Sequence, residues 1–322
     1  MGVGLRQITI NESRMNITFK KANDTFASEE TKESSIQFDQ TESIMDLFEE
    51  LNSMIGLDKV KDVIYEIYAL IQVEKLRKEA ELRIDSHSYH MLFKGNPGTG
   101  KTTVARIVAK MFQRMGVLSK GHFIEAERAD LVGEYIGHTA QKTRELVKKA
   151  MGGILFVDEA YSLARGGEKD FGKEAIDCLV KLMEDKSDDL VIILAGYSNE
   201  MNFFLNTNPG LPSRFPIQID FPDYSLDQLI QIAESMVKER DYALTELTIR
   251  KLKEMILDEK INEPIFSNAR LIRNLIEKSI RHQAVRLMGR HTKLLKQDLM
   301  LLLPNDLISI ASNDLKASNI IS

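Results

Sequence analysis

The chain has 322 residues, room for one large domain and a smaller one. With 43% hydrophobic and 28% charged residues it reads as soluble and globular, and a net charge of −5 argues against a dedicated nucleic-acid binder, which carries a basic surplus. A single cysteine, Cys178, excludes an intrachain disulfide and suits a reducing cytosol, and six histidines without ligand spacing give no zinc site. No apolar run approaches the roughly 18 residues of a membrane span, and MGVGLR lacks the apolar core of a signal peptide, so a cytoplasmic protein is expected.

In chain order, residues 1–45 are polar and too poor in apolar residues to build a core, which predicts a mobile arm with at most a short strand over 8–19. From Ile44 apolar residues recur at helical intervals, with a break at Ile55–Gly56. Five strand-length segments follow: YHMLFKG, HFIEAE, GGILFVDE, LVIILAGY and FPIQIDF. Amphipathic helices are predicted between them over 102–116, 139–151 and 173–185. Apolar strands alternating with helices predict an α/β domain over 46–222 with a five-stranded parallel sheet between helices. After Phe221–Pro222 no strand signal remains, and helical patterns over 225–241, 245–260 and 268–289 predict a small all-α domain over 223–310, then a tail over 311–322.

Residues 95–102, GNPGTGKT, complete the pattern G-x-x-x-x-G-K-[ST] between a predicted strand and a predicted helix. That setting turns backbone amides and the helix N-terminus toward phosphate. Gly95, Asn96, Pro97, Gly98, Thr99, Gly100, Lys101, Thr102 and the adjoining Thr103 are therefore candidate nucleotide contacts. Lys101 is expected to reach the β and γ phosphates of ATP, and Thr102 to ligate Mg²⁺. ILFVDEA delivers Asp158 and Glu159 to a strand end, Asp158 as a second Mg²⁺ ligand and Glu159 to polarise the attacking water.

With these residues in place the sequence resembles an AAA+ ATPase. Its strings LVGEYIGHTAQKT, GGILFVDEAYSL, ILAGY, NPGLPSRF, DFPDYS and FSNARLIRN, spread from about Leu51 to Met288, are similar to one branch of that family, the group of red-type rubisco activase and stage V sporulation protein K, with the likeness strongest to the sporulation member. The resemblance implies a homo-hexameric ring with ATP between subunits, acting on an unidentified protein substrate, and a role in bacterial sporulation. It implies that Arg214 is an arginine finger acting in trans, that Arg270 is the second sensor on the helical lid, and that Ile55 and Gly56 lie against the adenine. Many members place Asn at the end of the fourth strand. Here that strand ends ILAGYSNE, which leaves Tyr197, Ser198 and Asn199 open as the water-positioning group.

The same resemblance puts Tyr135, Ile136 and Gly137 in a loop that projects into the ring's channel, where an aromatic grips an extended polypeptide without reading its sequence. Gly133 and Gly137 are expected to let that loop shift. A second loop, SLARGGEKDFG, with Arg165, Gly166 and Gly167, is implied to line the channel as well. Two other readings compete. One is a nucleic-acid-directed loader, favoured slightly by Arg270, Arg273, Lys278, Arg281, Arg286 and Arg290, though the acidic total weighs against nucleic acid. The other is a non-hydrolysing switch or scaffold, against which Glu159 and Arg214 speak.

Overall fold

The computed structural model describes residues 41–84, 87–135, 137–166, 170–185, 189–263, 265–289 and 293–308. The strand expected over 8–19 lies outside them. The chain enters through α1 (Thr41–Ser53), breaks at Met54–Leu57 and continues as α2 (Asp58–Glu79). Five strands then alternate with helices: β1 (Met91–Gly95), α3 (Lys101–Arg114), β2 (Phe123–Ala126), α4 (Arg128–Leu131), α5 (His138–Ala150), β3 (Ile154–Val157), α6 (Gly172–Asp185), β4 (Val191–Gly196), α7 (Ser198–Leu205), α8 (Leu211–Arg214) and β5 (Ile217–Phe221).

All five strands are parallel, in the order β2-β3-β4-β1-β5. Side chains alternate across the sheet. Met91, Phe93, Ile154, Phe156, Ile193 and Ala195 pack on the side of α1, α2 and α3, whereas Leu92, Leu155, Val157, Ile192 and Leu194 pack on the side of α5, α6 and α7. Burial on both faces explains why the inner strands β1, β3 and β4 read as nearly unbroken apolar runs, whereas the edge strands β2 and β5 carry exposed Glu125, Gln218 and Asp220. The register sets the height of the strand ends. Lys94 pairs with Gly196, Gly95 with Phe221, and Val157 with Leu194. The loops after β1, β3 and β4 therefore leave one edge of the sheet together, where open α/β sheets carry their ligands.

The remaining elements are α9 (Leu226–Lys238), β6 (Ala243–Leu244), α10 (Glu246–Asn262), α11 (Asn268–Met288), α12 (Lys296–Met300) and β7 (Leu301–Leu302). A capping box starts α9: the Ser225 hydroxyl accepts from Gln228 N, and the Gln228 side chain accepts from Ser225 N. The helical reading of this domain stands with one addition, a two-residue parallel pair of β6 and β7. Strands of two residues have no periodicity to detect. This pair is held by its surroundings: Thr248 Oγ1 donates to Leu302 O at 2.8 Å and Gln283 Nε2 to Leu301 O at 3.1 Å.

Candidate nucleotide site

The phosphate loop leaves β1 at Gly95 and enters α3 at Lys101. Gly98 holds φ +72°, and a Cβ there would fall 2.4 Å from Ser267 O and 2.7 Å from Arg270 N, so the loop touches the start of α11 backbone to backbone. Gly100, at φ 99°, precedes α3 without a side-chain cap, which leaves the first-turn amides of Lys101, Thr102 and Thr103 facing the loop. Thr99 is buried with its hydroxyl donating to Asn96 O at 2.8 Å.

Lys101 is buried, and its ammonium donates to Gly95 O and Asn96 O, each at 2.8 Å. Burial pushes its pKa down to about 8, Asp158 opposes the fall, Arg270 adds to it, and Asp223 and Glu159 oppose it more weakly. The charges of Arg270 and of the strand-end carboxylates Asp158 and Glu159 thus act on Lys101 at this loop. Asp158 Oδ1 accepts from Glu159 N at 2.9 Å, and Glu159 sits at φ 46°, a left-handed conformation that is strained for a non-glycine residue. Ile55 and Gly56 lie in the α1–α2 break. Their neighbours Met54 and Leu57 face Gly100, and a Cβ on Gly56 would fall 2.5 Å from Gln228 of α9, so this segment bridges the loop and the helical domain.

The donor set fits a nucleotide. The amides, Lys101 and Arg270 suit phosphate oxygens. Thr102 and Asp158 offer the hard oxygen donors that Mg²⁺ prefers, and among the described residues no cluster of three or more acidic, histidine or cysteine side chains forms a metal cage.

Arg214 stands apart from this group. Its guanidinium pairs with Glu184 at 3.0 Å, its Nε is buried with no partner among the described residues, and the side chain is 36% exposed. It lies beside His90, whose pKa falls to about 4 through burial first, with Arg214 contributing; a backbone contact at Met183 opposes the fall. The charges that act on Lys101 are those of Asp158, Arg270, Asp223 and Glu159, and Arg214 is not among them.

At the end of β4, Tyr197, one of the three candidates there, belongs to a packed pair. Tyr197 stacks on Tyr161 with centroids 5.5 Å apart, and a Cβ on Gly196 would fall 2.6 Å from the Tyr161 ring. Burial and the neighbouring Glu159 raise the Tyr161 pKa. The Arg165 guanidinium lies 4.4 Å over the same ring, so its contact is with Tyr161 as well as solvent, and Gly167 lies outside the described residues. Tyr161 stands two residues after Glu159, so the sequence alone places it near the strand end.

Tyr135 is 66% exposed, with an edge contact to His138 at 5.4 Å. Gly137, at φ +81°, has open space where a Cβ would stand. Gly133 differs from expectation. Its N–H donates to Thr139 Oγ1 at 3.0 Å, and a Cβ there would fall 2.6 Å from His138 Cβ, so close packing rather than hinge freedom demands glycine. Ile136 lies outside the described residues. The basic row of α11 is not a continuous surface. Arg270 acts at the phosphate loop, Arg286 is clamped by Asp306 at 2.7 and 2.8 Å, and Arg290 is outside the described residues. Among the described residues no helix is long and apolar enough to cross a membrane.

Comparison with known proteins agrees with this geometry. The family described as ATPase family associated with various cellular activities (AAA) matches residues 91–223, and the AAA lid domain matches residues 225–317. Stage V sporulation protein K of Bacillus subtilis is 60% identical over 82% of this chain and 82% of its own length. The chloroplastic ribulose bisphosphate carboxylase/oxygenase activase of Cyanidioschyzon merolae is 43% identical over 87% of this chain and 96% of its own, and CbbX of Cereibacter sphaeroides 48% identical over 75% and 79%. A solved katanin chain shares the fold at a TM-score of 0.53 and 18% identity, covering 88% of this chain and 96% of that one. The parallel sheet, the phosphate loop and the matched sequences place this chain in the AAA+ family of ATPases, as an AAA domain followed by an AAA lid domain.

Proposed function

We propose that the chain is an ATP-driven protein remodeller that works as a homo-hexameric ring, in the cytoplasm, during bacterial sporulation. Hydrolysis is an in-line attack of water on the γ phosphate. Lys101 neutralises the β and γ oxygens, and the amides of Gly98 to Thr103 orient the chain of phosphates. Thr102 and Asp158 would hold Mg²⁺, which spreads the charge on the transferred phosphoryl group when bound. Glu159 holds and polarises the water, and Arg270 reports nucleotide state to the lid. Ile55 and Gly56 flank the base.

The observation that carries the ring is the separation within one chain. Lys101, Asp158, Glu159 and Arg270 share a charge network, while Arg214 is turned toward Glu184 and the surface. That separation supports a role for Arg214 at the site of a neighbouring copy rather than at its own. The protein substrate would be drawn by Tyr135, Ile136 and Gly137, and the 66% exposure of Tyr135 supports that use, because a large aromatic left in water is free to grip a chain. The sporulation role rests on the 60% identity to stage V sporulation protein K.

Changing Glu159→Gln tests the reading. Turnover should fall by at least ~10²-fold while ATP stays bound, in keeping with loss of a positioned general base. Pull-down with that variant from sporulating cells should then recover a protein target. ATP turnover unchanged in the variant would overturn the hydrolytic assignment, and recovery of DNA or RNA alone would favour the loader reading.

A further inference from the structure

We propose that Asn268 is the positioning residue that seats the lid on the phosphate loop and acts on nucleotide through Arg270. The proposal rests on the nucleotide site argued above. Asn268 is fully buried and opens α11 at φ 44°, a left-handed conformation that Asn tolerates better than other side chains. Its amide group is fully engaged by the junction. Oδ1 accepts from Tyr224 N at 2.9 Å, and Nδ2 donates to Asp223 Oδ1 at 2.8 Å, to Phe266 O at 3.1 Å and, at a long 3.4 Å, to Pro97 O.

Those partners come from three places: the phosphate loop, the connection between the two domains, and the segment before α11. The links continue on both sides. Asp223 also accepts from Asn96 Nδ2, with both carboxylate oxygens at 3.0 Å, and Tyr224 OH donates to Thr99 O at 3.2 Å. The residue after Asn268 makes the second seat: Ala269 N donates to Gly98 O at 3.2 Å. Because Gly98 has no side chain, α11 approaches the loop closely enough for that bond. Arg270 follows within the same helical turn, so the rotation and height of α11 at Asn268 determine where its guanidinium stands. A side chain that satisfies a loop, a hinge and a helix start at once couples their positions, and replacing one of its arms leaves buried polar groups unpaired.

The test uses Asn268→Gly, which removes the side chain but suits a positive φ, alone and combined with Arg270→Ala. Binding of fluorescent mant-ADP should weaken about 10-fold in Asn268→Gly and by a similar factor in Arg270→Ala, and the double variant should be no more than about 2-fold worse than either, because neighbouring residues acting as one unit are not additive. Hydrogen exchange over 267–272 should quicken in Asn268→Gly while β1 and β4 stay protected. If Asn268→Gly does not fold, Asn268→Asp replaces it. That variant keeps the acceptor for Tyr224 N but sets a carboxylate against Asp223, Phe266 O and Pro97 O, and Asp223→Asn should recover the part of the binding lost to the facing carboxylates while the two carbonyls stay without a donor. Full multiplication of the two defects, affinity within 2-fold of wild type, unchanged exchange over 267–272, or no recovery at all on adding Asp223→Asn to Asn268→Asp would each overturn the proposal. Absence of mant-ADP binding by the wild-type protein would instead strike the site reading, and the exchange measurement would still decide the seat.

Discussion

Lys101 is held at a cost to the fold, and the cost is measurable. The ammonium is buried, and its two carbonyl partners do not prevent its pKa from falling from 10.5 to about 8. At about 1.4 kcal/mol per pKa unit this disfavours the charged lysine at neutral pH by roughly 3 kcal/mol. Changing Lys101→Met keeps most of the volume and removes the charge. The two carbonyls then lose their donor, which returns part of the gain. The net expectation is stabilisation of the nucleotide-free protein by ~1–3 kcal/mol together with loss of ATP turnover, a trade of stability against function. Urea unfolding with EDTA and without nucleotide measures it. The pH dependence has a definite sign. Above about 8 the folded lysine is neutral while the unfolded one still binds its proton, so the folded wild type gains stability as pH rises toward 10.5. The advantage of Lys101→Met should therefore be widest at pH 7 and shrink between pH 8 and 10.5. A variant that is less stable than wild type at pH 7, or a gap that widens with pH in that window, would refute the argument that burial dominates at Lys101.

Further outcomes are expected. Arg214→Ala should lower turnover by ~10³–10⁵-fold, the size of an arginine-finger contribution. Its unfolding free energy should change little, since the Glu184 pair is more than a third exposed. In the same assays the specific activity of wild type should fall on dilution as sedimentation shows the ring dissociating. Tyr135→Ala should leave ATPase activity and melting temperature near wild type, because the ring is 66% exposed, while abolishing unfolding of a tagged substrate. Gly196→Ala should destabilise by ~1–3 kcal/mol in thermal or urea unfolding, because the added methyl meets the Tyr161 ring and Met201 Sδ within 2.7 Å.

Much was legible in the sequence, for reasons that differ along the chain. The three inner strands announce themselves because a parallel sheet covered on both sides needs consecutive apolar residues, and Met91 to Phe93, Ile154 to Val157 and Val191 to Ala195 supply them, while β5 shows itself by alternation in Ile217–Phe221. The phosphate loop is readable because its work is done by backbone, so glycine spacing carries the geometry. Lys101, Asp158 and Glu159 follow from local chemistry at strand ends. Gly133 differs from the hinge reading, because a glycine demanded by a close contact, here with His138 and Thr139 of the following helix, and a glycine demanded by conformational freedom look alike in one dimension.

What the sequence by itself determined was therefore the alternation of elements, the loop that can cradle phosphate and the acids that end a strand, since each depends on residues near one another in the chain. Only the tertiary structure decided how they meet. The strand order β2-β3-β4-β1-β5 sets β4 between the loop strand and the acid strand, and packs Tyr197 on Tyr161. The fold brings Asn268 to Asn96 through Asp223, across 172 positions of chain from one end to the other. It pairs Leu301–Leu302 with Ala243–Leu244 and turns Arg214 toward Glu184 instead of Lys101. Such contacts arise from burying polar groups where only remote partners can satisfy them, and no short-range pattern encodes which partner that will be.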